Sequence, residues 1–440
     1  MKEEVKLKEE AKKISIKDGS YYSVMDGAGL RYITPYALSL GASNNLIGLL
    51  ATLPPLLGNF LKLVFNRIYQ RNSRKKTVVF WASMQALFWI PMILTGFLYF
   101  VFNLSVLYSS ILLVISYSGI MISGALSSPA WSSWMQDVVQ KERGKYFSKR
   151  SRVNGFVALS TMFIAGFILD YFKNGQVFYG FLILFSIAAI GRCISVSYLK
   201  KQYEPKFEFE EKSYFSFFRF LKKMASNNFG RFVIFVSLIS FSVAIASPFF
   251  SVYMIKELHF SYVAFTIITM SSSISTLIFL PLWGKWSDRF GNVIVFRLCA
   301  IFISAVPLLW FVSAFLNLKF IFLMIFLFLV EAFSGFVWAG FNLSTSNFIY
   351  DAVTRQKLAL CLTYFSFINS AGSLIGATLG GILSNAQNFT LLGTSAILSL
   401  FLVSGVLRFI PSIIVGIKLK EVKKVEIPEF HLMQINLRKV

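Results

Sequence analysis

The sequence predicts an all-α integral membrane protein with twelve transmembrane helices, arranged as two parallel-repeat six-helix bundles with cytoplasmic N and C termini. Three observations predict it. Hydrophobic residues make up 56% of the 440 residues and charged residues only 14%, whereas soluble domains run near 45–50% apolar and about 25% charged. Twelve apolar stretches each reach the roughly 20 residues needed to cross a bilayer core of about 30 Å. The basic residues alternate: of 43 Lys and Arg, 36 fall in the two tails and the even-numbered loops and 3 in the odd-numbered loops. That alternation follows the positive-inside rule. The net charge of +23 is therefore a signal of topology, with anionic inner-leaflet lipid as the partner it implies. It does not point to nucleic acid. The expected location is the cell membrane, crossed many times.

In chain order, residues 1–19 read as a cytoplasmic tail, charged on both signs, with no apolar segment of a cleavable signal. A frayed, solvated tail is the expectation. The first bundle, 20–198, holds spans 20–41, 45–66, 77–101, 106–134, 149–172 and 175–198. A cytoplasmic linker, 199–228, mixes aromatic and basic residues from Tyr214 to Lys223, which suits a helix lying in the membrane interface. The second bundle, 229–417, holds spans 229–255, 261–284, 291–316, 319–350, 358–384 and 390–417, and 418–440 is a second cytoplasmic tail. Short loops make successive spans antiparallel. Two glycosylation sequons, at Asn103 and Asn388, fall on outer loops.

The halves repeat. Thr34-Pro35-Tyr36 matches Ser247-Pro248-Phe249 at an offset of 213, Asp137 matches Asp351 and Gly166 matches Gly380 at 214, and Arg192 matches Arg408 at 216. Six spans per half is an even number, so both halves share one orientation. Two like-oriented bundles with a site between them are a transporter architecture. Enzyme chemistry finds little to stand on: three scattered Cys (Cys193, Cys299, Cys361) and two His (His259, His431) offer no metal cluster. No Walker A sequence occurs, so this chain is not expected to consume ATP. No cofactor and no bound metal are expected.

In Gly284-Lys285-Trp286-Ser287-Asp288-Arg289-Phe290-Gly291-Asn292, after span eight, the chain resembles the G-x-x-x-D-R-x-G-R/K loop of the major facilitator superfamily, with Asn292 in place of the usual basic residue. The resemblance extends over essentially the whole length. The segment from Pro129 to Trp134 and then Arg143 to Phe147 is similar to a poorly characterised prokaryotic branch. The first-half loop, Asn66 to Lys75, keeps its basic residues but loses Gly, Asp and Gly to Asn66, Gln70 and Ser73. The resemblance implies a cytoplasmic latch role for Gly284, Asp288, Arg289 and Gly291. The superfamily's Gly-Pro-Gly-Gly antiporter cluster is absent from span five. Gly372, Gly376 and Gly380 in span eleven share one face, which suits close helix packing.

Charges at mid-membrane cost several kcal/mol unless paired or wetted, on the order of 2.5–3.5 by insertion scales. Arg31 lies midway along span one, and the repeat aligns its face with a serine stripe in span seven that includes Ser240 and Ser247; Thr34 is the counterpart of Ser247. Glu331 lies midway along span ten on a face with Ser334, Trp338 and Asn342, whose counterparts in span four include Tyr117, Ser128 and Trp131. The resemblance implies that spans one, four, seven and ten line the cavity. Arg31 and Glu331 are then expected to meet between the halves. In one reading Glu331 or Asp26 exchanges a proton and Arg31 holds an anionic group or acts as counter-ion. In the other the pair only fixes packing. Asp26, at about 100° per residue, falls about 140° from Arg31 and is not expected to share its face. Lys62, Arg192 and Arg408 are expected to snorkel to the inner interface, Asp170 to be a solvated helix end, and Tyr32 and Tyr36 either to stack on a ligand or to pack helices.

The function expected is secondary active transport of a small organic solute by alternating access, coupled to protons or another ion, by a monomer. A non-transporting receptor or scramblase of the same fold, or a uniporter, is the alternative. Direction is left open: the missing antiporter signature weakens efflux without establishing import.

Overall fold

The computed structural model describes residues 2–65, 73–140, 142–205, 216–316, 318–386, 389–414 and 416–423. Among them all regular structure is helical. The first half comprises α1 (Lys2–Ala28), α2 (Ile33–Ser39), α3 (Asn44–Phe65), α4 (Arg74–Leu87), α5 (Trp89–Phe100), α6 (Val106–Val138), α7 (Arg143–Tyr171) and α8 (Val177–Lys201). A short α9 (Phe217–Lys223) follows. The second half comprises α10 (Asn228–Ala244), α11 (Phe249–Val252), α12 (Tyr262–Phe290), α13 (Asn292–Val312), α14 (Phe320–Ala352), α15 (Arg355–Asn385) and α16 (Ala396–Ile414).

Side-chain caps set several helix starts. Ser73 accepts from the Lys76 amide, Asn227 from Gly230 and Ser261 from Ala264, each satisfying an amide that the first turn leaves open. Eleven helices or helix pairs among the described residues are long and apolar enough to cross a membrane. The first expected span is not among them: its helix is long enough but too polar, and it breaks near its end. Gly29 lies against Trp89 and Ala188 so closely that no side chain would fit there. After Gly29 the chain makes one 3-10 turn, Leu30–Tyr32, before α2 resumes.

Residues 2–19 are not a frayed tail. They continue α1 as a single helix, with Ala11, Ser15 and Asp18 buried. The Tyr146 hydroxyl donates to the Lys12 carbonyl at 3.2 Å and Arg150 Nε to the Ser15 carbonyl at 3.1 Å. Apolar contact with α7 and two side-chain donors hold a segment that its charge alone would leave in water. In the linker, the described part of the expected interfacial helix is α9. Phe218 points outward while Phe220 packs on Phe229 and Tyr364. Residues 206–215 of that linker, residues 66–72 of the first-half loop and the Asn388 sequon lie outside the described residues.

Within the first half α1 packs on α7 and α8, and α4 on α6 and α8; within the second α12 packs on α14, and α13 on α14 and α16. The extended seams between halves are α3 with α15 and α7 with α12. The buried apolar core is distributed unevenly. At the end away from the N terminus one core runs through both halves, including Tyr32, Tyr36, Trp89, Phe249, Phe265 and Trp310. At the N-terminal end there are two cores, one around Trp134 in the first half and one around Phe232 and Phe296 in the second.

Candidate functional site

Two adjoining cavities lie where the cores divide. The larger, of about 420 Å³, is walled by α1, α4, α6, α7 and α8 and runs from Val78 and Leu199 inward to Arg31. The smaller, of about 230 Å³, lies on the seam between α7 and α12, with Arg31, Ala158 and Met162 on one side and Ser272, Ser273 and Thr276 on the other. Arg31 belongs to both walls.

The break at Gly29 determines what Arg31 meets. Carried by the 3-10 turn, its Nε and Nη2 both reach Asp26 Oδ2, at 3.4 Å. The regular helical wheel that separates these residues does not apply across the break, so the expectation that they face apart is corrected. Deeper toward the N-terminal end, Asp18 Oδ1 accepts from Ser195 Oγ at 2.6 Å, and Ser195 Oγ accepts from Arg192 Nη1 at 2.7 Å. Arg150 approaches Asp18 at 3.6 Å and lies over the Trp131 ring at 4.4 Å. Arg192 lies over the Tyr22 ring at 5.1 Å. Asp18, Arg150 and Arg192 thus join the site. Asp18 lay in the part of the sequence read as tail, and Arg192 was expected to snorkel. Instead Arg192 is 5% exposed.

The structure does not bring Arg31 and Glu331 together. Glu331 faces its own half, where its Oε1 accepts from Trp310 Nε1 at 3.1 Å and the Arg408 guanidinium acts on it through space. Arg408 is buried too. Its Nη1 donates to the Ile303 carbonyl at 3.0 Å and its Nε to Ser404 Oγ at 3.1 Å. Snorkelling is unnecessary where carbonyls of neighbouring helices take the donors. Lys62 likewise turns inward, to Asn59 Oδ1 at 3.2 Å, while Asn59 Nδ2 donates to Ser370 Oγ of the other half at 2.6 Å.

Of the other candidates, Ser128 and Trp131 line the larger cavity. Thr34, Tyr117 and Ser240 are half-buried, Ser247 and Asn342 are exposed and Ser334 is buried. Trp338 packs edge-on against Phe341. None of these seven lines either cavity. Tyr32 and Tyr36 serve packing: the Tyr36 hydroxyl donates to the Met92 carbonyl at 3.0 Å, and Tyr32 bonds the Met162 carbonyl and Thr266 Oγ1, each at 2.7 Å. The glycine stripe of α15 packs on α10, against Ser237, Phe241 and Ile245.

Asp170 is no solvated end. Its Oδ1 accepts from the Tyr262 amide at 2.7 Å and its Oδ2 from the Val263 amide at 2.8 Å. A carboxylate of the first half thereby caps the first turn of α12 in the second. With Tyr32–Thr266, and Lys256 donating to the Ala42 carbonyl at 3.4 Å, it closes the seam at the end away from the N terminus.

At the N-terminal end the repeat returns as a pair of clusters. In the first half Arg74 bonds Asp137, and Glu204 accepts from the Lys75 amide at 3.1 Å. In the second, Asn292 Nδ2 donates to Asp351 at 2.8 Å, and Glu421 accepts from the Val293 amide at 2.8 Å. Asn292, at the position where the loop usually has a basic residue, performs the bridging that Arg74 performs in the other half. Of the four residues for which the resemblance implies a latch role, Asp288 pairs with Lys423 at 3.3 Å, Arg289 lies over the Phe290 ring, Gly291 holds φ +91°, and Gly284 faces Leu343.

The fold is that of a helical, multi-pass membrane protein with a cavity on the seam between its halves and a larger, charged one adjoining it in the first half. The chain belongs to the Major Facilitator Superfamily, whose family model matches residues 22–244 and 232–428. It is 29% identical over 134 residues to a protein named Multidrug resistance protein 1 from Bacillus subtilis (strain 168), a stretch covering 30% of this chain and 32% of that protein's length. Its fold is similar to a bacterial homologue of the iron transporter ferroportin in an inward-facing state, with TM-score 0.71, 13% identity, and coverage of 94% of this chain and 98% of that one. It is also similar to the nucleoside transporter NupG, with TM-score 0.70, 13% identity, and coverage of 91% and 98%. At such identities the likeness concerns the fold alone.

Proposed function

We propose that this chain is a secondary active transporter that moves a small organic solute by alternating access. In this reading twelve spans, the broken α1–α2 among them, form two bundles at 20–198 and 229–417, joined by the linker 199–228. Both termini face the cytoplasm, the chain acts as a monomer in the cell membrane, and anionic lipid contacts its basic face. One observation carries the reading: a cavity on the seam between the halves, adjoining a larger charged one in the first half, with a continuous core closing one end and divided cores at the other. Such one-sided closure is what a carrier between two access states requires.

Proton coupling is the economical energy source, and Asp26 on the cavity wall and Glu331 beside Trp310 are the carboxylates placed for it. Uniport is a second reading, favoured by Glu331 lying off both cavity walls. The test is solute flux in proteoliposomes under an imposed pH gradient, with solutes first selected by ligand-induced thermal stabilisation. Gradient-driven accumulation that Asp26→Asn or Glu331→Gln abolishes is the expected result. Flux that ignores the gradient and survives both substitutions makes the protein a uniporter. Solutes that bind but never cross would make it a receptor.

A further inference from the structure

The wall of the larger cavity carries three guanidiniums, Arg31, Arg150 and Arg192, against two carboxylates, Asp18 and Asp26. We infer that the cavity takes a small organic carboxylate with an apolar body. The inference rests on the transport reading for its consequence, but the binding it asserts is separate.

The partnering is uneven. Asp18 is engaged twice, by Arg150 and, through Ser195, by Arg192. Arg192 is 5% exposed, yet its Nε has no hydrogen-bond partner among the described residues. A buried charged donor left open costs free energy that an incoming acceptor restores. Arg31 holds Asp26 only at 3.4 Å and is 46% exposed. That separation is near the limit of a useful hydrogen bond, and a guanidinium has five N–H donors to offer. A planar carboxylate matches that fork with two parallel bonds. An amine in the same place would meet a wall with positive charge to spare.

The rest of the wall argues for an organic body. Trp131, Tyr22 and Ala158 line the same cavity, and Leu277 faces Arg31 across the seam. The volume lies within the roughly 300–1,000 Å³ usual for small-molecule sites. An inorganic anion would leave the aliphatic surface of Ala158 and Leu277 without a partner.

Benzoate, benzylamine and benzyl alcohol share one body and differ in charge, so they separate the charge requirement from shape. Binding is measured on the purified full-length protein in detergent, by tryptophan fluorescence, with Trp131 on the cavity wall, and by thermal unfolding. Benzoate is expected to bind saturably and at least about tenfold more tightly than the other two. Arg31→Gln should weaken it about tenfold or more, and Arg31→Lys should recover part of the loss. Equal or tighter binding of benzylamine overturns the inference. So does undiminished benzoate binding in Arg31→Gln, or the absence of saturable benzoate binding to the unaltered protein. Proteoliposome flux keeps the two claims apart. Transport of an amine or neutral solute would leave transport standing and sink the carboxylate; benzoate that binds without crossing would do the reverse.

Discussion

Arg408 shows what a guanidinium needs in order to stay inside. At 2% exposure it donates to the Ile303 carbonyl and to Ser404, and Ser404 in turn donates to the Ser242 carbonyl. Removing it leaves these acceptors and Glu331 without their cation, and breaking such a buried arrangement costs about 3–5 kcal/mol. Arg408→Ala should therefore lower the thermal midpoint markedly, and Arg408→Lys should restore only part, because an ammonium lacks the planar fork. Buried Cys299 and Cys361 give the measurement: their alkylation by a fluorogenic maleimide on heating reports unfolding, once exposed Cys193 is replaced. At this scale the sequence was legible in part. It singled out Arg31, Asp26 and Glu331 by the cost of charge in lipid. It could not show which neighbours they meet, because one 3-10 turn after Gly29 re-aims Arg31. Asp18 went unnoticed because charged neighbours such as Lys12 and Lys13 made its segment look like tail. The repeat of small or polar residues at Ala11, Ser15 and Asp18, all buried, was the signal available.

Helix contacts follow the same division. The stripe Gly372, Gly376 and Gly380 was readable from four-residue spacing, and the carbonyls of Phe241 and Ile245 occupy the space a side chain would need. Gly376→Val should cost more than about 2 kcal/mol, since overpacking forces backbone movement, and the same alkylation assay would detect it. Asp170 was unreadable, because its partners are two backbone amides of a helix 92 and 93 residues away. A carboxylate at a helix N terminus contributes about 1–2 kcal/mol. If that energy favours the closed seam, Asp170→Ala should raise the population opened at that end by roughly five- to thirtyfold. Maleimide labelling of a cysteine placed at Ser43 checks it; unchanged labelling would mean that the cap stabilises α12 without holding the gate.

For the molecule as a whole, composition and alternating charge made the helical membrane class legible, the Gly284–Asn292 loop the superfamily, and offsets near 214 the repeat. Which end of the hollow closes was not legible, because it depends on contacts between halves. Asn45 and Gly381 abut across the α3–α15 seam at the closed end. A side chain at Gly381 would press on the Asn45 backbone, so Gly381→Val should force the seam apart at this end and raise labelling of the cysteine at Ser43. Unchanged labelling would show that the seam adjusts without parting. The 27-residue α1 adds a mechanical consequence. At ~1.5 Å per residue it is a stiff rod about 40 Å long, packed along α7 and α8 so that it turns with its bundle. A rocking of that bundle by roughly ten degrees about the Gly29 end would carry the far tip about 7 Å, so a dye attached there would act as the needle of a gauge, magnifying a motion too slight to follow beside the hollow itself.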